Sequence, residues 1–551
     1  MKILILGGYG VFGGRLAQLL RDEPNLTLFI AGRDEEKARS FCHSIESSAK
    51  FEPLTLDRRD TAIALSKIKP DILVDATGPF QQYGDDPYSV VEACIEARVN
   101  YLDFADGADF VFGVSQYDEA AKRAGIYLLS GVSSFPVLTA AVLREFSKTM
   151  DIEKVAGGIA PSPYAGIGLN VMRAVVGYAG TPVKLLRDGQ NGFGIGLAES
   201  RRFTIAVPGR MPLRNIHFSL VDVPDLQVIP PQHPTMTDIW MGAGPVPEVL
   251  HRVLNFLARA RYWLRLPSFV PLSRLFYRVL NLMKFGEHRG GMFVEASGSA
   301  NGKPMKKSWH LLAEADDGPF IPSIAIEAIV RKAVAGDSPA SGARPAINAL
   351  ELTDYDELFA GRTIYTGLRD DLEKGPIYRT VLGDAFDRLP PQVIELHDSL
   401  SQREWVGTAQ IKRGSGLLAR IVAVCISAPP SGEKIPVTVT FKPDAKGELW
   451  TRNFGGKTFQ SHQRVGSDKN TQLIVEKFGP IDVALALVIE GNRLRLIPRR
   501  WTAFGIPLPH SLLPRGNSFE AEEGGCFKFD VELAAPIVGL ICSYKGVLNP
   551  K

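Results

Sequence analysis

Cysteine is scarce in this sequence, and its positions exclude two common structural devices. The five cysteines among 551 residues lie far apart and never in a C-x-x-C spacing, which predicts neither a disulfide framework nor a zinc site. His397, His462 and His510 also lack the spacing of metal ligands. We therefore expect free thiols, a reducing compartment and no bound metal.

Strong charge of one sign is also missing, as are long apolar runs. A formal net charge of +3 gives the whole chain no field that would attract nucleic acid, so we expect no nucleic-acid partner. The longest uncharged stretch, residues 125–143, is interrupted by Gly131, Ser133 and Pro136, which is typical of a strand, a turn and a helix. The amino terminus passes directly from residues 2–6 into glycines, unlike a signal peptide. We expect a cytoplasmic protein, with membrane association as a further option considered below.

The chain does have the length and composition of a protein with several domains. It is 45% hydrophobic and 22% charged, as ordinary globular proteins are, and its length suits about three domains. Strands and helices alternate over residues 1–145, which predicts an α/β, doubly wound parallel sheet of the Rossmann type. Residues 146–370 mix both patterns and predict an α+β substrate or oligomerisation domain. Residues 375–551 predict a helix followed by a mostly antiparallel β domain, open or barrel-like.

A glycine-rich loop follows the first predicted strand, the apolar residues 2–6. The loop fits G-x-G-x-x-G and precedes a helix; it consists of Gly8, Tyr9, Gly10, Val11, Phe12 and Gly13. Glycines in this context permit a tight turn, close approach of a pyrophosphate to the backbone, and close packing of helix on strand. The amide groups at the helix amino terminus would bind the phosphates. The alternative is a tight strand-to-helix turn that binds no ligand.

The second predicted strand, residues 26–31, ends where a Rossmann domain contacts the adenosine ribose. An acid there would bind the ribose 2′-hydroxyl, whereas Arg33 can hold a 2′-phosphate, and Lys37 would strengthen that site. We therefore expect NADP(H), with NAD(H) as the alternative. In the competing interpretation, Arg33 is a solvated charge at the start of a helix that Asp34 caps.

Loops after the later strands complete the predicted cleft, because ligands of doubly wound sheets bind at the carboxyl ends of strands. Asp57 ends the third strand. The fourth strand opens into a loop that we expect beside the pyrophosphate and nicotinamide ribose, formed by Ala76, Thr77, Gly78 and Pro79. Tyr83, Asp103 and Asp106 lie near the same rim and are the candidates for catalysis, although the sequence assigns none of them a role. Capping of the next loop is the alternative for the two carboxylates.

The middle of the chain contains a basic amphipathic segment, residues 249–284. Apolar residues recur at helical spacing on both sides of Pro267 and Pro271. From His251 to Arg289 there are eight lysines and arginines but one acid. A pair of basic amphipathic helices suits an anionic membrane surface or a lipid-like anionic substrate. The alternative is a helix pair packed on its own domain with a solvated basic face.

The motifs above resemble those of the saccharopine dehydrogenase NADP-binding domain family. The resemblance rests on residues 7–13, 31–33, 76–80 followed by Tyr83, and 100–103; it covers residues 1–140 well and extends thinly to about 370. It implies a pyridine-nucleotide oxidoreductase. Only cofactor positions carry over: Gly8, Gly10 and Gly13 for the pyrophosphate, Arg33 for the adenosine end, and residues 76–79 for the ribose.

The remainder of the chain departs from that family in its middle and resembles another one at its end. The middle domain has no matching set of arginine, tyrosine or asparagine residues for an amino-dicarboxylate, so we do not expect an amino-acid substrate. Residues 413–420, 450–456 and 527–531 resemble a bacterial domain of unknown function that is fused behind such oxidoreductases.

Taken together, these features predict an NADP-dependent oxidoreductase that transfers hydride to or from an imine, carbonyl or activated alkene. We expect a small, hydrophobic substrate, lipidic if the segment 249–284 contacts a membrane, and a homodimer. The hypothesis from a different class is a non-catalytic protein that senses NADP or binds lipid. An enzyme requires a closed, partly apolar cavity beside the nicotinamide, whereas a sensor can fill that space with packed side chains.

Overall fold

The computed structural model describes residues 1–80, 83–84, 86–166, 168–245, 248–282, 284–370, 375–426 and 428–551. Two compact units account for this chain. The N-terminal unit comprises Met1–Phe203 and Ile216–Thr366, and the C-terminal unit comprises Thr204–Asn215 and Gly367–Lys551. The first predicted domain and most of the second fall within the N-terminal unit, whereas Thr204–Asn215 of the second belong to the C-terminal unit. The separation of these two domains near residue 145 stays a prediction.

The first part of the N-terminal unit alternates strands and helices. Its elements are β1 (Lys2–Leu6), α1 (Val11–Leu19), β2 (Thr27–Gly32), α2 (Glu35–His43), β3 (Lys50–Thr55), α3 (Thr61–Ile68), β4 (Ile72–Asp75), α4 (Ser89–Ala97), β5 (Asn100–Asp103), α5 (Ala108–Gly113), α6 (Asp118–Ala124), β6 (Tyr127–Ser130) and α7 (Thr139–Ser147). Ile3, Leu4 and Ile5 of β1 are fully buried, as a strand covered on both faces requires.

The second part of the N-terminal unit mixes both element types. Its elements are β7 (Asp151–Ala160), α8 (Leu169–Tyr178), β8 (Pro182–Arg187), β9 (Gln190–Ile195), β10 (Ser200–Phe203), β11 (Ile216–Leu220), α9 (Asp225–Val228), β12 (Asp238–Ala243), α10 (Glu248–Leu264), α11 (Ser273–Leu282), β13 (Gly290–Ala300), β14 (Lys303–Ala313), α12 (Ile321–Val334), β15 (Gly342–Pro345), α13 (Leu352–Ala360) and β16 (Ile364–Asp370).

Two large sheets organise these elements. The first has the order β15-β6-β5-β4-β1-β2-β3, and its strand pairs are parallel. This order confirms the predicted Rossmann sheet. The short strand β15 returns to its edge beside β6, long after the rest of the sheet in sequence. The second sheet has the order β10-β11-β12-β7-β13-β14-β16 and supplies the α+β part of the unit.

The C-terminal unit is a closed antiparallel barrel with helices. Its elements are α14 (Ile377–Leu382), α15 (Pro391–His397), β17 (Arg403–Arg413), α16 (Leu417–Cys425), β18 (Gly432–Asp444), β19 (Gly447–Phe454), β20 (Lys457–Val465), β21 (Ile474–Phe478), β22 (Ile481–Glu490), β23 (Arg493–Ala503), β24 (Ile506–Pro507), β25 (Ser518–Glu523), β26 (Cys526–Ala535) and β27 (Gly539–Pro550). The sheet runs β22-β21-β20-β19-β18-β17-β27-β26-β25-β23-β24, and β22 pairs with β23 to close it.

This closure confirms the barrel-like β domain expected from the sequence. The expected helical segment at its start is instead divided into α14 and α15. Gly383 has a φ of +55°, which favours glycine and ends the first helix, while Pro390 and Pro391 allow a new helix to begin but not the old one to continue.

No helix among the described residues is long and apolar enough to cross a membrane.

Candidate functional site

At the glycines of the turn from β1 into α1, neighbouring atoms leave no space for a side chain. Gly7 has a φ of +72°, so the left-handed residue of the turn lies one position before Gly8. A Cβ on Gly13 would lie 2.5 Å from the Gly7 carbonyl oxygen, and one on Gly10 would lie 3.0 Å from the same atom. The Gly10 amide donates to that oxygen over 2.8 Å. No side chain therefore covers the backbone at these glycines, as a phosphate-binding turn requires.

A cleft of about 560 Å³ opens beside this loop, and we call it the nucleotide cleft. Most of the predicted cofactor and rim residues line it: Tyr9, Gly10, Val11, Phe12, Arg33, Asp57, Ala76, Thr77, Gly78, Pro79, Tyr83 and Asp106. Gly8, Gly13, Lys37 and Asp103 do not line it. Gly8 and Gly13 act through packing instead, because a Cβ on Gly8 would lie 2.9 Å from the Ile5 carbonyl oxygen.

After β2, the structure contains both the helix cap of one interpretation and the exposed arginine of the other. Asp34 caps α2 by accepting the Lys37 amide over 3.1 Å, and its carboxylate pairs with the Lys37 ammonium at 2.8 Å. Arg33 remains exposed and lines the cleft. Asp57 accepts the side chain and amide of Arg59, which lower the pKa of its carboxyl group. Arg33 is thus an exposed cation at the cleft, whereas Lys37 is engaged by Asp34.

A buried polar cluster holds the loop after β4. Thr77 donates its hydroxyl to Asp75 over 2.6 Å, and Tyr83 lies 2.7 Å from the same hydroxyl. The Arg58 guanidinium stacks 3.8 Å from the centre of the Tyr83 ring and lies 3.7 Å from Asp75. Asn170, at the start of α8, donates to the Gly78 carbonyl over 2.9 Å. The sequence interpretation missed Arg58, Asp75 and Asn170; an acid at the end of the apolar strand β4 was the available signal.

Burial raises the pKa of Tyr83 far above its ordinary value, and the nearby Asp75 carboxylate raises it further. The phenol therefore stays protonated and bonded within its cluster, which suits a positioning role better than proton transfer. Asp103 is fully buried and accepts the amides of Ala105 (2.9 Å) and Gly131 (2.7 Å). Burial raises the pKa of Asp103 to about 7. Of the three candidates, Asp106 is the one that lines both the cleft and the cavity described next.

An apolar cavity of about 360 Å³ adjoins the nucleotide cleft. Its wall is mainly aliphatic and comes from α1, α8, α10, α11 and the second sheet. The cleft and the cavity share five lining residues, Val11, Phe12, Asp106, Gly168 and Val171. A ligand in the cleft and another in the cavity would therefore meet across these residues.

Five ionisable side chains interrupt the apolar wall: Arg15, Asp106, Tyr178, Asp222 and His251. His251 is 2% exposed, and within the described residues neither of its ring nitrogens has a hydrogen-bond partner. Burial, reinforced by the adjacent His217, lowers the pKa of His251 to about 4. Burial also raises the pKa of Tyr178 and of Asp222. At neutral pH, His251 is a neutral imidazole that can donate one hydrogen bond into the cavity.

Sequence reasoning missed His251 as a site residue. It lies on the buried face of α10 with Asn255 and Ala258, a face otherwise expected to be apolar. The outward face of α10 is the more apolar one, since Phe256 is 69% exposed and Trp263 is 81% exposed. On α11, Leu282 is 83% exposed. Further large apolar side chains are exposed along residues 249–285: Val249, Val253, Leu264, Leu272, Leu275 and Phe285.

Comparison with known proteins identifies the domains at both ends of the chain. Residues 3–129 match the family described as saccharopine dehydrogenase NADP binding domain, and residues 389–548 match a domain of unknown function, DUF4166. The chain therefore joins these two domains, as the resemblance in the sequence implied, and its N-terminal part is the nucleotide-binding domain of an NAD(P)-dependent oxidoreductase. No curated protein matches the chain.

Solved structures share only distant similarity with the chain. An amine dehydrogenase from Mycobacterium smegmatis is 12% identical over 63% of this chain and 95% of its own, with a TM-score of 0.34. A probable dehydrogenase from Thermotoga maritima is 10% identical over 67% and 98%, with a TM-score of 0.32. A Gfo/Idh/MocA family oxidoreductase from Vibrio cholerae is 9% identical over 62% and 91%, with a TM-score of 0.29.

Proposed function

We propose that this protein is an NADPH-dependent oxidoreductase whose substrate is an apolar molecule taken from an anionic membrane. The observation that carries this proposal is the adjacency of the nucleotide cleft and the apolar cavity through Val11, Phe12 and Asp106. A sensor of NADP needs no second cavity at this place. An open apolar cavity beside the cleft therefore favours catalysis over the non-catalytic alternative.

The residues of the cleft fit a dinucleotide phosphate. The bare backbone at Gly10 would bind the pyrophosphate, and Arg33 would hold a 2′-phosphate. When bound, the reduced nicotinamide supplies a hydride for an imine, carbonyl or activated alkene. The side chains of the cavity exclude water from the substrate, and His251 donates a hydrogen bond to the substrate's oxygen or nitrogen atom.

Affinity for the two nucleotides tests the cofactor assignment. We expect wild-type protein to bind NADPH more tightly than NADH, and Arg33→Asp to lose that preference, because a bidentate cation on phosphate is replaced by a like charge. Fluorescence transfer from tryptophan to the reduced nicotinamide measures both dissociation constants. Arg123→Asp is the matched control, since Arg123 is an exposed residue of α6 that does not line the cleft. Equal preference in wild type and Arg33→Asp would refute the role of Arg33.

The outer surfaces of α10 and α11 support membrane contact. Basic side chains alternate with the exposed apolar residues: Arg252, Arg259, Arg265, Arg274, Arg278 and Lys284. The same helices contribute Leu250, Leu254 and Leu280 to the wall of the cavity. A helix pair with one face on a bilayer and the other on an apolar cavity would let a lipidic substrate pass without crossing water. Each basic residue near an anionic surface contributes about 1 kcal/mol to binding.

Sedimentation with vesicles tests this contact. We expect binding to vesicles containing phosphatidylglycerol, weaker binding to pure phosphatidylcholine, and a fall of about tenfold or more for Phe256→Ser combined with Trp263→Ser, because two large side chains no longer enter the bilayer. Phe504→Ser is the control, since Phe504 is 82% exposed but lies in the C-terminal unit. If the double variant binds as wild type does, membrane contact through 249–284 is wrong.

A further inference from the structure

Tyr9 joins the glycine loop to the segment that follows β2. Its hydroxyl oxygen accepts the backbone amide of Asp34 over 3.0 Å. A Cβ on Gly32 would lie 2.5 Å from the same hydroxyl oxygen, so the Tyr9 side chain occupies the space beside the end of β2. Tyr9 and Arg33 both line the nucleotide cleft. The tyrosine therefore holds the stretch of backbone that presents Arg33 to the cleft.

Two carboxylates near Arg33 are each bound by a different cation. Asp34 accepts the Lys37 amide over 3.1 Å and pairs with the Lys37 ammonium at 2.8 Å. Asp57 pairs with the Arg59 guanidinium at 3.0 Å and is close enough to Arg33 to interact with its charge. Arg33 itself forms no salt bridge within the described part of the chain. Lys37 and Arg59 thus compensate negative charges that would otherwise oppose a phosphate at Arg33.

An unpaired Asp34 carboxylate would disfavour a 2′-phosphate at Arg33. The Lys37 ammonium, followed by the Lys37 amide, holds the pKa of the Asp34 carboxyl group below its usual value, so this group is charged at neutral pH. Its side chain is 42% exposed. Like charges repel over roughly 10 Å at 0.1 M salt, and Asp34 follows Arg33 directly in the chain. NADH carries a hydroxyl group where NADPH carries the phosphate, so the same charge would weaken NADPH binding far more than NADH binding.

We propose that Lys37 determines cofactor specificity as the counter-ion of Asp34, not as a ligand of the phosphate, and that Tyr9 is a positioning residue for the same segment. This inference rests on the proposed NADPH-dependent function and gives its cofactor preference a second source. The sequence predicts that Lys37 strengthens the phosphate site, but its ammonium is bound to Asp34 and Lys37 does not line the cleft. Preference for NADPH then depends on compensating a negative charge as well as on supplying Arg33.

Two substitutions that keep the cap of α2 distinguish a counter-ion from a ligand. Lys37→Met removes the ammonium but leaves the backbone amide that Asp34 caps, and Asp34→Asn removes the charge while asparagine caps helices equally well. We expect Lys37→Met to weaken NADPH binding about three- to tenfold and to leave NADH binding within about twofold of wild type. Adding Asp34→Asn to Lys37→Met should restore NADPH affinity to within about twofold of wild type. Fluorescence transfer from tryptophan to the reduced nicotinamide measures these affinities in the full-length protein.

The double variant decides between the two roles of Lys37. A double variant that binds NADPH as weakly as Lys37→Met would overturn the proposal, because asparagine cannot replace a lost phosphate ligand. Unchanged NADPH affinity in Lys37→Met would overturn it as well. Arg39→Met is the matched control, since Arg39 is an exposed residue of α2 that pairs with Glu35 at 2.6 Å; it should leave both affinities unchanged. Wild-type protein that binds neither nucleotide would instead refute the proposed function, and this inference with it.

Salt dependence and a change at Tyr9 separate this electrostatic role from a loss of folding. The difference in NADPH affinity between wild type and Lys37→Met should shrink as salt rises from about 0.05 M to 0.5 M, because screening weakens the repulsion by Asp34. A difference that stays constant with salt would contradict the counter-ion role. Tyr9→Phe keeps the ring beside Gly32 but removes the acceptor of the Asp34 amide. It should lower the ratio of NADPH to NADH affinity about threefold, and an unchanged ratio in the folded variant would refute the role of Tyr9.

Discussion

Substitution of Gly13 by alanine is a sharp test of the nucleotide site, because its neighbour offers an almost identical control. The new methyl carbon would lie 2.5 Å from the Gly7 carbonyl oxygen and 3.0 Å from the Gly8 Cα atom. Cβ atoms in proteins essentially never lie closer than 3.0 Å to such atoms. Because both neighbours are backbone atoms, the glycine loop itself must move by about 0.5 Å or more to restore that separation. A misplacement of about 1 Å at a binding site can reduce function about 100-fold.

We therefore expect Gly13→Ala to weaken NADPH binding by about 10- to 100-fold. At Gly14 the nearest atoms belong to the Phe41 ring, at 3.2 Å, and a side chain can yield where a backbone cannot. Alanine also favours helix over glycine by about 1 kcal/mol at both positions, so Gly14→Ala should bind NADPH within about threefold of wild type. Fluorescence titration measures the affinities, and thermal unfolding verifies that both variants fold. Equal affinities of the two variants would refute the account of the loop.

Two further predictions concern buried ionisable groups. Asp225 is fully buried and burial raises the pKa of its carboxyl group to about 7, so the folded state binds the proton more tightly than the unfolded state does. The protonated side chain favours folding below about pH 4, and this contribution is lost as the pH rises to about 7. Asp225→Asn should match wild type at pH 4 and exceed its unfolding free energy by on the order of 2–4 kcal/mol at pH 8, measured by urea unfolding; a constant difference across pH would contradict the shifted pKa. His251→Leu should retain NADPH affinity but lose turnover of any apolar carbonyl compound that the wild-type protein reduces with NADPH. His288→Leu, at an exposed histidine of the same unit, should keep both the affinity and the turnover. Equal turnover in the two variants would exclude a role of His251 in the reaction.

Local patterns were sufficient to predict the Rossmann sheet and the two helices of residues 249–284. The apolar run of β1, the glycines after it and the spacing of the next strands are contained within short windows. For α10 and α11, helical periodicity predicted the elements but not their orientation. The sequence cannot show which face is covered, and the structure places His251, Asn255 and Ala258 inside and Phe256 outside.

The parts that sequence reasoning missed depend on contacts between distant residues. β15 is a four-residue strand with no period of its own, so no local pattern predicts it. The apolar cavity collects residues from Val11 to Pro322, so no window of sequence contains it. Arg58 and Asp75 were missed for the same reason. Their charges indicate a role in the site only when the contacts of both residues with Tyr83 are known.

The return of β15 to the first sheet also affects how this protein is made. The nucleotide-binding sheet remains without its edge strand until the ribosome has added residues 131–341, which separate β6 from β15. Contacts between residues so far apart form slowly, and an unpaired sheet edge is prone to aggregation. All strands of the second sheet except β16 are translated in that interval, and they would pair beside an unfinished first sheet. Chaperone dependence should therefore be greatest for nascent chains that end before residue 345.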